Sequence, residues 1–207
     1  MTVTGIEEAG KKKVRIFIDD EFAFVLYKGE LRRYRISEGS EIGEGEYSEI
    51  MQEVLPRRAK LRSMNLLKAR PYTEKQLRDK LRQGEYADSL IEEAIEYVKS
   101  YGYIDDRRYA EDYISYYAQY RSRRRIEQEL LYKGIERDIT QEIFEQREEE
   151  GEGPDELAMA KKLLRKKNYD PHTAQIREKQ KLSAFLYRKG FTSDTIRRAL
   201  SLDIIPD

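Results

Sequence analysis

The chain has no cysteine, no tryptophan and a single histidine in 207 residues. Without cysteine there is no disulfide framework and no thiolate zinc site. One histidine leaves no partner for the histidine-based ligand sets and triads of metal and nucleophilic catalysis. No apolar run approaches the ~20 residues that a membrane-spanning helix needs, and the N-terminus lacks the apolar core of a signal peptide. These absences predict a soluble cytoplasmic protein with no membrane partner. Gly-rich phosphate loops are also missing: Gly43-Glu-Gly45 has no Lys-Ser/Thr after it. Asp105-Asp106 with Glu111 or Asp112 could suggest a metal-dependent nuclease, but two aspartates at a helix start read better as caps on its open N–H groups. Asp19-Asp20 reads as a turn and His172, after Asp170-Pro171, as a loop or helix-start residue. No catalytic residue, metal or cofactor is expected.

Charge and tyrosine dominate what is present. Hydrophobic and charged residues each make up 39%, and the 16 tyrosines outnumber the 6 phenylalanines. One compact globule of this length would normally carry more core; a row of small helical units, with its higher surface-to-volume ratio, needs less. Forty basic residues balance forty acidic ones. The balance is uneven along the chain. Residues 1–50 have 8 basic and 11 acidic, 51–105 have 11 and 9, 106–153 have 9 and 13, and 154–207 have 12 and 7. Any attraction for a polyanion must therefore come from local basic stretches.

One pattern recurs three times. Two aliphatic residues four apart are followed five residues later by an aromatic or aliphatic one: Leu77, Leu81, Tyr86; Ile126, Leu130, Ile135; Leu182, Leu186, Phe191. Ile126 lies 49 residues beyond Leu77, and Leu182 lies 56 beyond Ile126. A second apolar pair follows each copy: Ile91 and Ile95, Thr140 and Phe144, Ile196 and Leu200. A period near 50 marks a tandem array whose units bury their faces against one another, and such arrays present surfaces to partners more often than pockets to substrates. The predicted fold is mostly α: an elongated tandem array of three three-helix repeats behind a small N-terminal β-hairpin element. The divisions are 1–45 for the β-rich element, 46–104 for the first repeat with a lead-in helix, 105–150 for the second and 154–207 for the third.

Within this frame, residues 1–13 read as a polar, mostly disordered lead. Val14–Ile18 and Phe22–Tyr27 read as strands about an Asp19-Asp20-Glu21 turn. Lys28-Gly29-Glu30 reads as another turn, with Leu31–Ile36 a third strand or a short helix. Pro56 should start or bend a helical segment. Thr73 and Gln76 make a capping box, Asp105 or Asp106 and then Ser122 cap later helices, and the last helix spans Ser193 to Leu202. Lys133-Gly134 and Lys189-Gly190 are C-cap devices. The matching Gly84-Glu85 of the first repeat predicts a slightly different turn. Residues 148–154 read as an acidic linker.

The strings Pro71-Tyr-Thr-Glu-Lys-Gln-Leu77-Arg-Asp-Lys-Leu81, Gly102-Tyr-Ile-Asp-Asp106-Arg-Arg-Tyr-Ala110, Ser122-Arg-Arg-Arg-Ile126-Glu-Gln-Glu-Leu130-Leu-Tyr-Lys-Gly-Ile135 and Lys181-Leu-Ser-Ala-Phe-Leu186-Tyr-Arg-Lys-Gly-Phe191 resemble the RecX family over residues 57–202 or so. That resemblance implies three-helix repeats without a catalytic site, and a non-enzymatic regulator of the RecA recombinase in DNA recombination and repair. It further implies binding to the RecA–single-stranded-DNA filament, with DNA contacted directly or through RecA. A monomer is expected. The alternative is a stand-alone DNA-binding protein of helix-turn-helix type, for which only the last helix, with Arg197 and Arg198, is basic enough.

Three basic clusters are candidate partner or DNA contacts. The sharpest is Arg121, Arg123, Arg124 and Arg125, which would meet phosphate or an acidic protein surface; the plainer reading is a solvated helix start with Arg125 paired to Glu129. The second is Arg57, Arg58, Lys60 and Arg62. The third is Lys161, Lys162 and Arg165 with Lys166 and Lys167, which reads first as the wet face of an amphipathic helix; Lys179, Lys181, Arg188 and Lys189 add to the basic excess of the last repeat. A tyrosine stripe at 109, 113, 116 and 120 could stack bases but reads first as core, with Tyr113 and Tyr117 buried beside Ala110 and Ile114, and Tyr116 and Tyr120 exposed.

Overall fold

The computed structural model describes residues 1–201 and divides into two compact units, Met1–Asp105 and Asp106–Asp207. The N-terminal unit opens with an antiparallel sheet in the order β1 (Val3–Glu8), β2 (Lys13–Ile18), β3 (Glu21–Tyr27). Alternation along β2 sends Val14, Ile16 and Ile18 inward. Asp19 and Asp20 both adopt positive φ, 49° and 67°, the geometry of the two-residue turns that match strand twist. The expected hairpin is thus present, but residues 1–13 are not a disordered lead. β1 pairs with β2 from Val3 opposite Ile18 to Glu8 opposite Val14. Its polar composition hides it, because an edge strand needs few apolar residues when its neighbour supplies the ladder; Val3 is fully buried, and Thr4 Oγ1 accepts from the Asp20 amide at 2.9 Å. Lys28-Gly29-Glu30 is the first turn of α1 (Lys28–Arg33), where Glu30 reaches back to the Tyr27 amide; this resolves Leu31–Arg33 as helix.

α2 (Glu44–Glu49), a π-helical stretch (Ile50–Val54) and α3 (Leu55–Ala69) run on without a break. Pro56 lacks the N–H that would continue the regular ladder, and the wider π spacing sits just ahead of it. Thr73 and Gln76 form the expected capping box on α4 (Glu74–Arg82), and α5 (Asp88–Ser100) buries Leu90, Ile91, Ala94, Ile95 and Val98. Sheet, α1 and α2 share one core with Leu55 and Leu90; α3 to α5 share a second around Leu77, Leu81, Ile91 and Ile95.

In the C-terminal unit α6 (Asp106–Tyr117), α7 (Arg123–Tyr132) and α8 (Arg137–Glu149) enclose Ile114, Ile126, Leu130 and Phe144. Then α9 (Glu156–Arg165), α10 (Ile176–Arg188) and α11 (Ser193–Leu200) enclose Ala160, Leu164, Leu186 and Phe191. Leu202, the expected end of the last helix, lies outside the described residues. The acidic linker is shorter and better anchored than expected: α8 continues through Glu149, Glu148 pairs with Arg123 at 2.8 Å, and Glu152 with Arg147 at 3.4 Å.

All three repeats turn between their second and third helices in the same way. The amides of Tyr86, Ile135 and Phe191 donate to the carbonyls of Leu81, Leu130 and Leu186, and the residue just before each amide has positive φ: Glu85 (61°), Gly134 (95°), Gly190 (92°). The different turn expected at Gly84-Glu85 does not occur. Glu85 adopts the glycine conformation and is gripped by the Arg15 guanidinium in a fork of 2.5 and 2.6 Å, which ties β2 to the first repeat and holds the Glu85 carboxyl below its usual range.

Candidate nucleic-acid and partner interface

The arginine run begins at the N-terminus of α7, where cations oppose the helix dipole. The fold offsets this with acidic partners. Ser122 caps the helix by accepting from the Arg125 amide at 3.3 Å, and Glu156, from the start of α9, accepts from the Arg123 amide at 2.7 Å. Burial raises the Glu156 carboxyl above its ordinary range, with the bond from Arg123 opposing. Ser122 Oγ also donates to the Lys189 carbonyl at 2.9 Å. A Cβ on Gly190 would come within 2.5 Å of that hydroxyl, so glycine is needed there for packing as well as for φ.

The five-residue run splits by role. Arg121 lies on the Tyr117 ring at 3.8 Å, bonds Tyr113 Oη at 2.9 Å and pairs with Glu129. Arg123 pairs with Glu127 and Glu148, each at 2.8 Å, and covers the Phe144 ring at 4.9 Å. Both hold the unit together. Arg125 does pair with Glu129, at 2.7 Å, yet stays half exposed. Arg124 is exposed beside the Tyr187 ring, 5.5 Å away, with no carboxylate paired to it among the described residues. At the centre, burial opposes ionisation of Glu129, but bonds from Tyr113, Arg125 and Arg121 outweigh it and hold the carboxyl below its usual range. Burial and the bond to Glu129 push the Tyr113 phenol up to about 12.

Of these residues Arg121, Arg125 and Glu129, with Tyr117, line an open cleft of about 790 Å³. Tyr116 and Tyr120, 62% and 65% exposed, stand at its edge. Arg188 and Lys189 from the end of α10 face it, with Leu163 and Phe185 behind. Neither Arg188 nor Lys189 has an ion pair among the described residues, and Lys189 lies over Phe185 at 5.9 Å. The tyrosine stripe therefore divides as expected at Tyr116 and Tyr120, whereas Tyr113 and Tyr117 are only partly buried, since Ala110 and Ile114 occupy the core itself. Cations interleaved with aromatic faces suit a nucleic-acid strand or an acidic protein surface.

The other candidates separate likewise. Arg58 is nearly covered: it forks onto Glu30 at 2.6 and 2.7 Å and donates to the Val25 carbonyl at 3.0 Å. Lys60 pairs with Glu93 at 2.7 Å. Arg57 and Arg62 are exposed and carry no ion pair among the described residues. Lys162, Arg165 and Lys181 are exposed on α9 and α10, while Lys161 is partly covered. Arg197 and Arg198 both lean on Asp194 of their own helix and stay exposed. Sequence reasoning found the Arg125–Glu129 pair but missed Glu156 and Tyr187 as neighbours of the arginine run. No local signal marks them; Glu156 lies 33 residues from Arg123 and meets it only through the fold. No group of three His, Asp or Glu side chains placed to hold a metal occurs among the described residues, and no helix there is long and apolar enough to cross a membrane.

Comparison with known proteins matches the RecX first, second and third three-helix domains at residues 59–97, 105–142 and 154–200. The regulatory protein RecX of Caldanaerobacter subterraneus subsp. tengcongensis is 33% identical over 204 residues, covering 98% of this chain and all of the relative. That of Clostridioides difficile is 29% identical over 96% of this chain and 94% of its own length. A crystal structure of a regulatory protein RecX superposes with a TM-score of 0.62 over 95% of this chain and 97% of its own, at 24% identity. RecX from Lactobacillus salivarius gives 0.58 over 71% and 95%, at 23% identity; at such identities these two speak for the fold alone. With three domain matches in repeat order and a relative one-third identical from end to end, the chain belongs to the RecX family.

Proposed function

We propose that this chain regulates the RecA recombinase by binding the RecA–single-stranded-DNA filament, and that it carries out no reaction of its own. Family membership supports the reading, and the observation that carries it at the level of geometry is the cleft of the C-terminal unit. There Tyr116 and Tyr120 stand exposed beside Arg125, Arg188 and Lys189, a surface suited to a long, negatively charged partner. Arg58, Lys60, Arg121 and Arg123, paired to carboxylates and partly covered, serve the fold; Arg125 is paired too but stays half exposed. Arg57, Arg62, Arg124, Arg125, Lys162, Arg165, Lys181, Arg188 and Lys189 are the ones left to contact filament or DNA. Acting as a monomer in the cytoplasm, the protein would compete for filament surface and so limit subunit addition or loosen subunits already bound.

The test is electron microscopy of RecA filaments on single-stranded DNA, with and without the full chain, alongside RecA ATPase and strand exchange. Shorter filaments and lower activity at substoichiometric dose are expected. Filaments of unchanged length and activity at equimolar dose would overturn the reading.

A further inference from the structure

The N-terminal unit has its own open cleft, of about 920 Å³. Cations reach it from four elements: Lys13 from β2, Arg33 from α1, Arg57 and Arg62 from α3, and Lys80 from α4. Glu30 is the carboxylate among the described lining residues, and both of its oxygens are taken by Arg58. Arg33 pairs with Glu49 at 2.7 Å but stays 67% exposed at its side chain, while Arg57 and Arg62 have no ion pair among the described residues. Apolar surface lies between these charges. The Tyr27 ring, 41% exposed, sits with Lys13 Nζ at 5.6 Å and Arg58 Cζ at 4.7 Å, and Leu61 is 53% exposed.

We infer that this cleft binds the sugar-phosphate backbone of a single-stranded nucleic acid, with Tyr27 and Leu61 offering their faces to the bases. Concave placement brings together cations that are scattered in sequence over 68 positions, from Lys13 to Lys80. Sequestration of Glu30 by Arg58 removes the negative charge that would repel phosphate. An acidic peptide would be served by the cations alone; the exposed ring and isobutyl group between them add the apolar surface on which bases stack, the combination used by proteins that hold single strands without reading sequence. The inference also gives the β element a task, because it supplies Lys13 and Tyr27 and, through Val25, holds Arg58. It rests on the nucleic-acid part of the proposed function and not on RecA.

The full chain is titrated against a fluorescein-labelled oligothymidylate, without RecA, across a salt series. Binding is expected, and Arg57→Gln with Arg62→Gln should lower the slope of log affinity against log salt by about 1.4, or ~0.7 for each phosphate no longer neutralised. Both residues are exposed and have no ion pair among the described residues, so the melting temperature should hold. Arg57→Lys with Arg62→Lys, which keeps both charges, should bind as the parent does. No binding at low salt, a slope unmoved by the double glutamine change, or displacement of the oligothymidylate by polyglutamate at equal charge concentration would each overturn the assignment. Oligothymidylate binding with this slope change, together with unaltered RecA filaments, would sink the regulator reading and leave this one standing.

Discussion

Glu85 stands where the other two repeats have glycine. A non-glycine residue at φ 61° costs on the order of 1 kcal/mol, and the fork to Arg15 is what recommends glutamate there. The two effects can be separated by a thermal-melting cycle: Glu85→Gly should be more stabilising in an Arg15→Ala background than in the parent, where it also breaks the fork. Equal effects in both backgrounds would mean that the fork does not hold this turn. Gly190 answers the opposite demand. Its φ of 92° and the 2.5 Å approach of a built Cβ to Ser122 Oγ leave no room for a side chain. Gly190→Ala should therefore destabilise the protein by roughly 1–3 kcal/mol, read from denaturant unfolding.

At the level of elements, the α6–α7 junction is held by Tyr113, Arg121, Arg125 and Glu129, and its stability should depend on pH at both ends. The Glu129 carboxyl is lowered in the fold, so its contribution is fully present above the unfolded value of about 4.3 and is lost as pH falls through the lower folded one. The Tyr113 phenol is raised to about 12, so its contribution is present below the unfolded value of about 10 and fades as pH climbs toward the folded one. Stability curves of Glu129→Gln and Tyr113→Phe should flatten the acid and the alkaline limb, respectively. Limbs that match the parent would show that the junction gains nothing from these groups. The helices themselves were largely readable in advance. Thr73, Ser122 and the apolar spacing of Leu77–Leu81 or Ile126–Leu130 are local signals, and they specified caps and buried faces correctly. β1 was not readable, because Val3–Glu8 becomes a strand only beside β2.

Across the whole molecule, formal charge sums to zero, yet each unit has a cleft in which the cations outnumber the carboxylates still unpaired. Arg188 and Lys189 lack ion pairs among the described residues and line the C-terminal one. Arg188→Glu with Lys189→Glu should keep the fold, since Ser122 engages only the Lys189 backbone. The dose needed for half-inhibition of RecA ATPase should rise roughly tenfold, about 1.4 kcal/mol. An unchanged dose, with melting intact, would remove that cleft from the interface.

The sequence by itself determined the repeat, the helical caps and the pool of basic residues, because each is written in short-range spacing: apolar residues three or four apart make a buried face, and a serine or threonine before a helix makes a cap. Which of those basic residues are paired and covered and which stay exposed was decided only by tertiary structure. Arg57 and Arg58 are adjacent in the chain, but the fold largely covers one against Glu30 and leaves the other in water. Arg123 was likewise sorted by Glu148 and Phe144, which the packing of the helices brought to it, whereas Arg125 finds Glu129 within its own helix. A charge's role depends on what lies within a few ångströms of it, and for most of these residues those neighbours come from other elements.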